Sequence, residues 1–273
     1  MIDRSRLGVV SNCWQTQLAD GHPLEDLIDR AVEELGFRHV ELRQGSLGTF
    51  EDSNRLPDAN ALAGLAAKFP QVSFDLAVEL PLFAKPVRRD DERRQQYLEA
   101  AQALSGHLRI VDLTPYPASE ATDESLAITT ANLSSLASDL SDGLVSVEHA
   151  VQPWSQFWPA FESARAKHEA TLKLCYDPAN LWLTGDGEQA GAITRSIPVE
   201  SLSMVHLKQR RGNSTLPSFV DGDVDWPPLL RVFVDSNYSG PFLFEIAPSG
   251  SVWEELDAGL QILDTLLCQI AKR

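Results

Sequence analysis

The stretch LKLCYDPANLW, residues 172–182, joins five strand-like residues to the start of a helix through an aspartate, a proline and an asparagine. A short apolar run that stops where a helix opens reads as one strand–loop–helix unit of a parallel sheet. The aspartate needs a reason. Burying an ionised carboxylate is costly unless a cation or hydrogen-bond donors meet it. Asp177 therefore either caps the helix that follows or faces a cation or a substrate.

The same unit recurs along the chain. Strand-like runs fall at 8–12, 39–43, 72–78, 108–114, 144–150, 172–177, 203–208 and 241–246. Helical spacing lies between them. Leu24, Leu27, Ile28, Ala31 and Leu35 form one apolar stripe that Gly36 closes. Further helices are expected at 61–69, 91–105, 125–140 and 254–270, with the weakest pattern at 187–197. Eight strands alternating with eight helices predict an α/β fold, a single (β/α)8 TIM barrel occupying residues 1–273 as one domain. The strands are apolar on both faces, as a parallel sheet covered by helices requires. An open doubly wound sheet fits less well, because no glycine-rich phosphate turn follows the first strand.

Composition narrows the function. The 273 residues carry a formal charge of −16. That balance argues against nucleic acid, whose binding rests on lysine and arginine, and against an anionic membrane surface. No apolar run reaches membrane-spanning length, and MIDRSRLGVVSNCWQTQ lacks the pattern of a secretory signal. Three widely separated cysteines (13, 175 and 268) suggest neither disulfides nor a cysteine-based zinc site. A reducing, cytoplasmic setting and a small-molecule ligand that brings its own cation are the expectation. Phe157, Trp158 and Phe161 suit either the core or a homo-oligomer interface.

In such barrels the chemistry gathers where strands end and the next loops begin. In the second half those ends carry Glu148, Asp177, His206 and Glu245, spaced 29, 29 and 39 residues apart, about one strand–helix unit each. Adjacent strands would aim three carboxylates and one imidazole at one point. The carboxylates would repel one another unless a divalent cation sits between them. Three oxygens and one nitrogen suit one divalent ion, Mn²⁺, Mg²⁺ or Co²⁺, better than a structural zinc. Spacing does not choose among them; Mn²⁺ is the expectation, with Zn²⁺ as a further alternative. The competing reading is that each acid caps its own helix or pairs with an arginine.

LVSVEHA, LCYDPANLW, MVHLKQ, the loop GDVDW (222–226) and PFLFEI, together with HVELR on the second strand, resemble the xylose-isomerase-like barrel superfamily. The resemblance is nearest to its sugar phosphate isomerase/epimerase and ketose epimerase group. It implies that Glu148, Asp177, His206 and Glu245 bind one metal, and that Glu148 and Glu245 act as an acid/base pair on opposite faces of a sugar. Two positions depart from the group's pattern. Asn180 stands where many members carry a histidine, and Gln209 follows Lys208 where many carry an aspartate. The abasic-site endonucleases of the superfamily need more histidine ligands than this chain offers at its strand ends.

A metal-bound keto sugar, sugar acid or polyol derivative could lose a proton to one glutamate and form a metal-stabilised enediolate. Returning the proton gives an isomerase or epimerase. Expelling a β leaving group gives a lyase, either a dehydratase or a 3-keto-glycoside eliminase. A non-catalytic, metal-stabilised barrel subunit is a reading from outside enzymes. Further candidates are His149 as a general base, if the strand ends at Glu148, and Lys208 as a contact to the enolate. Arg43, Glu79, Asn180 and Arg210 are candidate substrate contacts. Arg210 and Arg211, in the loop RRGNST, form a candidate clamp for a carboxylate or phosphate, and Trp14 and Trp226 are candidate pocket walls.

Overall fold

A computed structural model describes residues 3–83, 85–114, 122–140, 142–219 and 222–272. The strands are β1 (Leu7–Val10), β2 (His39–Arg43), β3 (Ser73–Glu79), β4 (His107–Val111), β5 (Leu144–Glu148), β6 (Leu172–Tyr176), β7 (Leu202–Leu207), β8 (Arg210–Arg211), β9 (Ser214–Thr215) and β10 (Phe242–Phe244). Strands β1 to β7 follow one another around a closed barrel, and β10 closes it between β7 and β1. Every barrel pairing is parallel. The pair β8–β9 is a small antiparallel hairpin above the barrel mouth, formed by the glycine-bearing segment RRGNST.

Ten helices flank the barrel among the described residues. They are α1 (Gln15–Ala19), α2 (Leu24–Leu35), α3 (Ala59–Lys68), α4 (Glu92–Leu104), α5 (Asp123–Asp139), α6 (Trp154–Arg165), α7 (Leu181–Thr184), α8 (Ala190–Ser196), α9 (Trp226–Asp235) and α10 (Val252–Ala271). Local chemistry sets their ends. Gly36 ends α2 at φ 72°, a left-handed conformation that costs glycine little. Asp58 caps α3 by accepting from the amides of Asn60 and Ala61. No described helix is long and apolar enough to cross a membrane.

Two stretches differ from expectation. The helical pattern at 187–197 resolves into a 3₁₀ turn, Gly187–Gln189, followed by α8. The break comes upstream, where Gly185 at φ 82° ends α7 and Asp186 accepts from the Trp154 amide and the Thr184 hydroxyl. The fourth strand stops at Val111 rather than running to Thr114. There Asp112 leaves the ladder and accepts from the Leu82 and Phe83 amides.

Most apolar burial lies between strands and helices, in one continuous core. Phe157 and Phe161 are fully buried in it, stacked with centroids 6.0 Å apart, and Trp158 packs against it. Phe157 and Phe161 therefore pack the core. The barrel interior is divided. Val10, Cys175, Met204 and Leu243 form a small apolar plug, while Glu41, Asp75 and Arg109 fill the side under β2–β4. Gly8 leaves room for this interior, since a Cβ there would lie 2.2 Å from the His39 carbonyl oxygen. Gly8→Ala should force β1 and β2 apart and cost roughly 1–3 kcal/mol, seen as a lower denaturant midpoint at unchanged m-value.

Candidate metal centre

Glu148 is the last residue of β5, and Asp177 follows β6 directly. His206 is next to last on β7, and Glu245 follows β10 with its amide still donating to the Leu207 carbonyl (3.1 Å). One ligand atom from each of the four lies within 4.8 Å of the others, and all four residues are buried. Donors held about 2.1 Å from a dication are roughly 3–4.2 Å apart, so small side-chain adjustments suffice to close the set around one ion. These groups could hold a metal.

The electrostatics of the cluster already require positive charge. Lys208 Nζ donates to Asp177 Oδ2 (2.6 Å) and lies 2.7 Å from Glu245 Oε2. Burial opposes the charge on Lys208, but Asp177 and Glu245 outweigh it and hold the ammonium above its usual pKa. Burial likewise works against a proton on His206, yet the carboxylates of Glu41 and Glu148 hold its pKa well above the ordinary range. Glu245 is held well below the carboxylate range, because Lys208 and His206 more than offset its burial. Asp177 is shifted upward by burial in spite of Lys208. Asp177 also caps the turn after β6, accepting from the Ala179 amide (2.9 Å). Capping and facing a cation are thus compatible, since one oxygen does each.

The imidazole is oriented by its two nitrogens. His206 Nδ1 faces Glu245 Oε2 (3.1 Å) and Glu148 Oε1 (3.7 Å). Nε2 faces Cys175 Sγ (3.3 Å) and Glu41 Oε2 (3.4 Å). A second group of potential donors, Glu41, Cys175 and His206, lies on this inner side. Burial pushes the Cys175 thiol up to about 12, so it stays protonated and is a poor ligand there.

Above the cluster lies a cavity of about 400 Å³. Glu148, Glu245, Lys208, Arg43, Glu79, Asn180 and Arg210 all line it. Arg43 donates to Glu245 Oε1 (3.0 Å) and sits 3.9 Å from Glu79. Asn180 Nδ2 donates to Glu148 Oε1 (3.0 Å) and to the His149 carbonyl (2.9 Å). Arg210 donates to the carbonyls of Gly212 and Ala179, with no carboxylate within 4.0 Å among the described residues. Leu113 and Leu183, each about 40 % exposed, give the mouth an apolar side (41% and 40%).

Three expectations are corrected. His149 does not enter the cavity. It is fully buried, packed edge-on against Trp154 and Phe157, with Nε2 donating to the Gln152 carbonyl (2.6 Å). The strand pleat carries it toward the helices, one residue after the inward-facing Glu148. Trp14 stacks on Trp253 in the core, and Trp226 donates to the Lys208 carbonyl from outside the cavity. Arg211 is exposed and is not among the lining residues.

The placement of His149 has a consequence at low pH. Burial pushes its pKa down to about 4, and its Nδ1 has no hydrogen-bond partner. Between pH 6.5 and 4 the unfolded chain holds a proton that the folded one does not, so stability falls as pH drops through that window. His149→Phe should flatten the fall by up to about 1.4 kcal/mol per pH unit while leaving metal affinity within twofold, checked by denaturant titration at pH 4, 5 and 7.

Sequence reading missed Arg109 and gave no role to Glu41 or Asp75. Arg109 makes a bidentate pair with Glu41 and donates to Glu148 Oε2 (2.6 Å), all three being buried. The available signal was a charge between apolar neighbours in each of three strands: Glu41 in VEL, Asp75 in VSFDLAV and Arg109 in LRIV. Asn12, which donates to Glu245 Oε1 (3.1 Å), left no such signal. Gln209 faces away from the site. Its amide bonds the Val224 backbone in both directions and anchors the loop at 222–226.

A family model described as xylose isomerase-like TIM barrel matches residues 30–265. The chain belongs to that family. A comparison with curated proteins finds no match. Among solved structures, a xylose isomerase-like TIM barrel/4-hydroxyphenylpyruvate dioxygenase fusion protein aligns with 98% of this chain at TM-score 0.70 and 16% identity. This chain spans 44% of that protein's length. An L-ribulose 3-epimerase aligns over 98% of this chain and 96% of its own, at TM-score 0.69 and 13% identity. The IolI protein with a bound zinc atom aligns over 97% of both chains, at TM-score 0.68 and 14% identity. At these identities the likeness is one of fold. As a family member this chain has an enzyme-type barrel.

Proposed function

We propose that this chain is a divalent-metal-dependent isomerase or epimerase acting on a keto sugar, sugar acid or polyol derivative. One observation carries the reading. Glu148, Asp177, His206 and Glu245 converge within 4.8 Å, and Glu148 and Glu245 of the four line a polar cavity. An epimerase and a zinc-binding protein among the structural neighbours lend it support.

A divalent ion, Mn²⁺ for preference, would polarise a bound carbonyl and offset the charge that develops on it. The chain's own residues supply the remaining steps. Glu148 and Glu245 both stand at the cavity floor as ionised carboxylates, one on β5 and one after β10, and either can take a proton from a carbon bound between them. Lys208 lies within reach of the same floor and donates to a substrate oxygen once substrate displaces one of its carboxylate contacts. Arg43 and Asn180 each hold one glutamate oxygen, which leaves less freedom for the carboxylates to turn.

The test is to load purified protein with Mn²⁺ and incubate it in D₂O with a panel of ketopentoses, ketohexoses and keto sugar acids. The expected result is one bound ion per chain and metal-dependent deuterium at a carbon next to the carbonyl in recovered sugar. An α,β-unsaturated product would move the assignment to a lyase. Neither bound ion nor exchange with any member of the panel would overturn both.

A further inference from the structure

We infer that Arg109 is a positioning residue that fixes the carboxylate of Glu148, working as a brace with Glu41 beneath the candidate metal centre. The inference rests on the reading of Glu148 as ligand and acid/base group. Arg109 itself does not line the cavity, whereas Val111, two residues along the same face of β4, does. Arg109 therefore acts through Glu148 and not on substrate.

The geometry is that of a rigid fork. Nε and Nη2 of Arg109 each take one oxygen of Glu41, and Nη1 takes Glu148 Oε2 at 2.6 Å. A planar guanidinium held at two points has little freedom at the third. With Oε2 drawn down toward Arg109, Glu148 presents Oε1 to the cluster, 3.7 Å from His206 Nδ1 and 3.0 Å from Asn180 Nδ2. The other end of the brace reaches a second member of the set, since Glu41 Oε2 lies 3.4 Å from His206 Nε2. One buried ion pair thus contacts two of the four converging side chains from below.

Stability does not account for it. Fully buried ion pairs return little net free energy, and apolar residues of similar volume often replace them without loss. The other half of the barrel interior shows that packing alone needs no charge, because Val10, Cys175, Met204 and Leu243 fill it. The charged half lies beneath Glu148 and His206. A lysine at 109 could keep the charge but has no fork to span two carboxylates.

The deciding variant is the double substitution Arg109→Met with Glu41→Met, which removes the brace with no net change in buried charge and leaves Glu148 with His206 and Asn180 as partners. Its crystal structure, thermal unfolding and Mn²⁺ affinity are compared with those of the parent chain. The expected result is a folded protein with an unfolding temperature at or above the parent's. In it the Glu148 carboxylate has turned out of its parent position, and Mn²⁺ binds 10–100-fold more weakly. A Glu148 carboxylate that stays in place, with Mn²⁺ affinity within twofold, overturns the inference. Should the parent chain bind no metal, the proposed function falls, but the position of Glu148 still decides whether the brace exists. If the double variant does not fold, Arg109→Lys is carried through the same crystallographic and binding measurements, with the same two outcomes.

Discussion

Glu245→Gln is expected to lower metal-dependent deuterium exchange into substrate by roughly 10³-fold at saturating metal, the scale of a lost acid/base group. The amide keeps the shape of the side chain and removes its charge and half of its accepting capacity. Both oxygens of Glu245 are in use. Oε1 accepts from Asn12 (3.1 Å) and Arg43 (3.0 Å), and Oε2 faces His206 Nδ1 (3.1 Å) and Lys208 Nζ (2.7 Å). Whichever way the amide turns, its NH₂ meets donors. Part of the loss will be weaker metal binding, so the rate is read at metal concentrations where each variant is saturated. Glu79→Gln is the matched control, because Glu79 lines the same cavity but is exposed and only 3.9 Å from Arg43. It should change exchange by less than tenfold. A Glu245→Gln rate within tenfold of the parent at saturation would remove Glu245 from the acid/base pair.

The fold was legible because it is written in repeated local units. Each strand is an apolar run that stops at a polar residue, and each long helix carries a stripe, so pattern and topology agree. The strand ends carrying Glu148, Asp177, His206 and Glu245 were legible for the same reason, since a parallel barrel brings every strand end to one mouth. What lay below the mouth was not legible. Arg109 sits in the middle of LRIV, where a lone charge looks like a solvent-facing residue of a half-buried strand. Only closure of the barrel places it opposite Glu41 and Glu148. His149 failed in a different way. Its direction depends on a strand boundary of one residue, and a slip of one residue turns a side chain to the opposite face.

Asp177→Ala is expected to leave the chain folded and unable to retain metal through purification. Asp177 offers one oxygen to the Ala179 amide and the other to Lys208. Losing the cap costs about 1 kcal/mol, and Lys208 keeps Glu245 as a partner, so no buried ammonium is left alone. The metal set falls from three carboxylates to two, and elemental analysis should find well under one ion per chain where the parent holds about one. The parent should also release its ion more readily as pH falls, because His206 and Asp177 both have raised pKa values and protons compete for the same lone pairs. The substitution removes one of those two competitors, so the remaining weak binding depends less steeply on pH. Stoichiometric metal in the purified Asp177→Ala protein would show that this aspartate caps the turn and nothing more. The site would then reduce to Glu148, His206 and Glu245, with Lys208 as its standing cation.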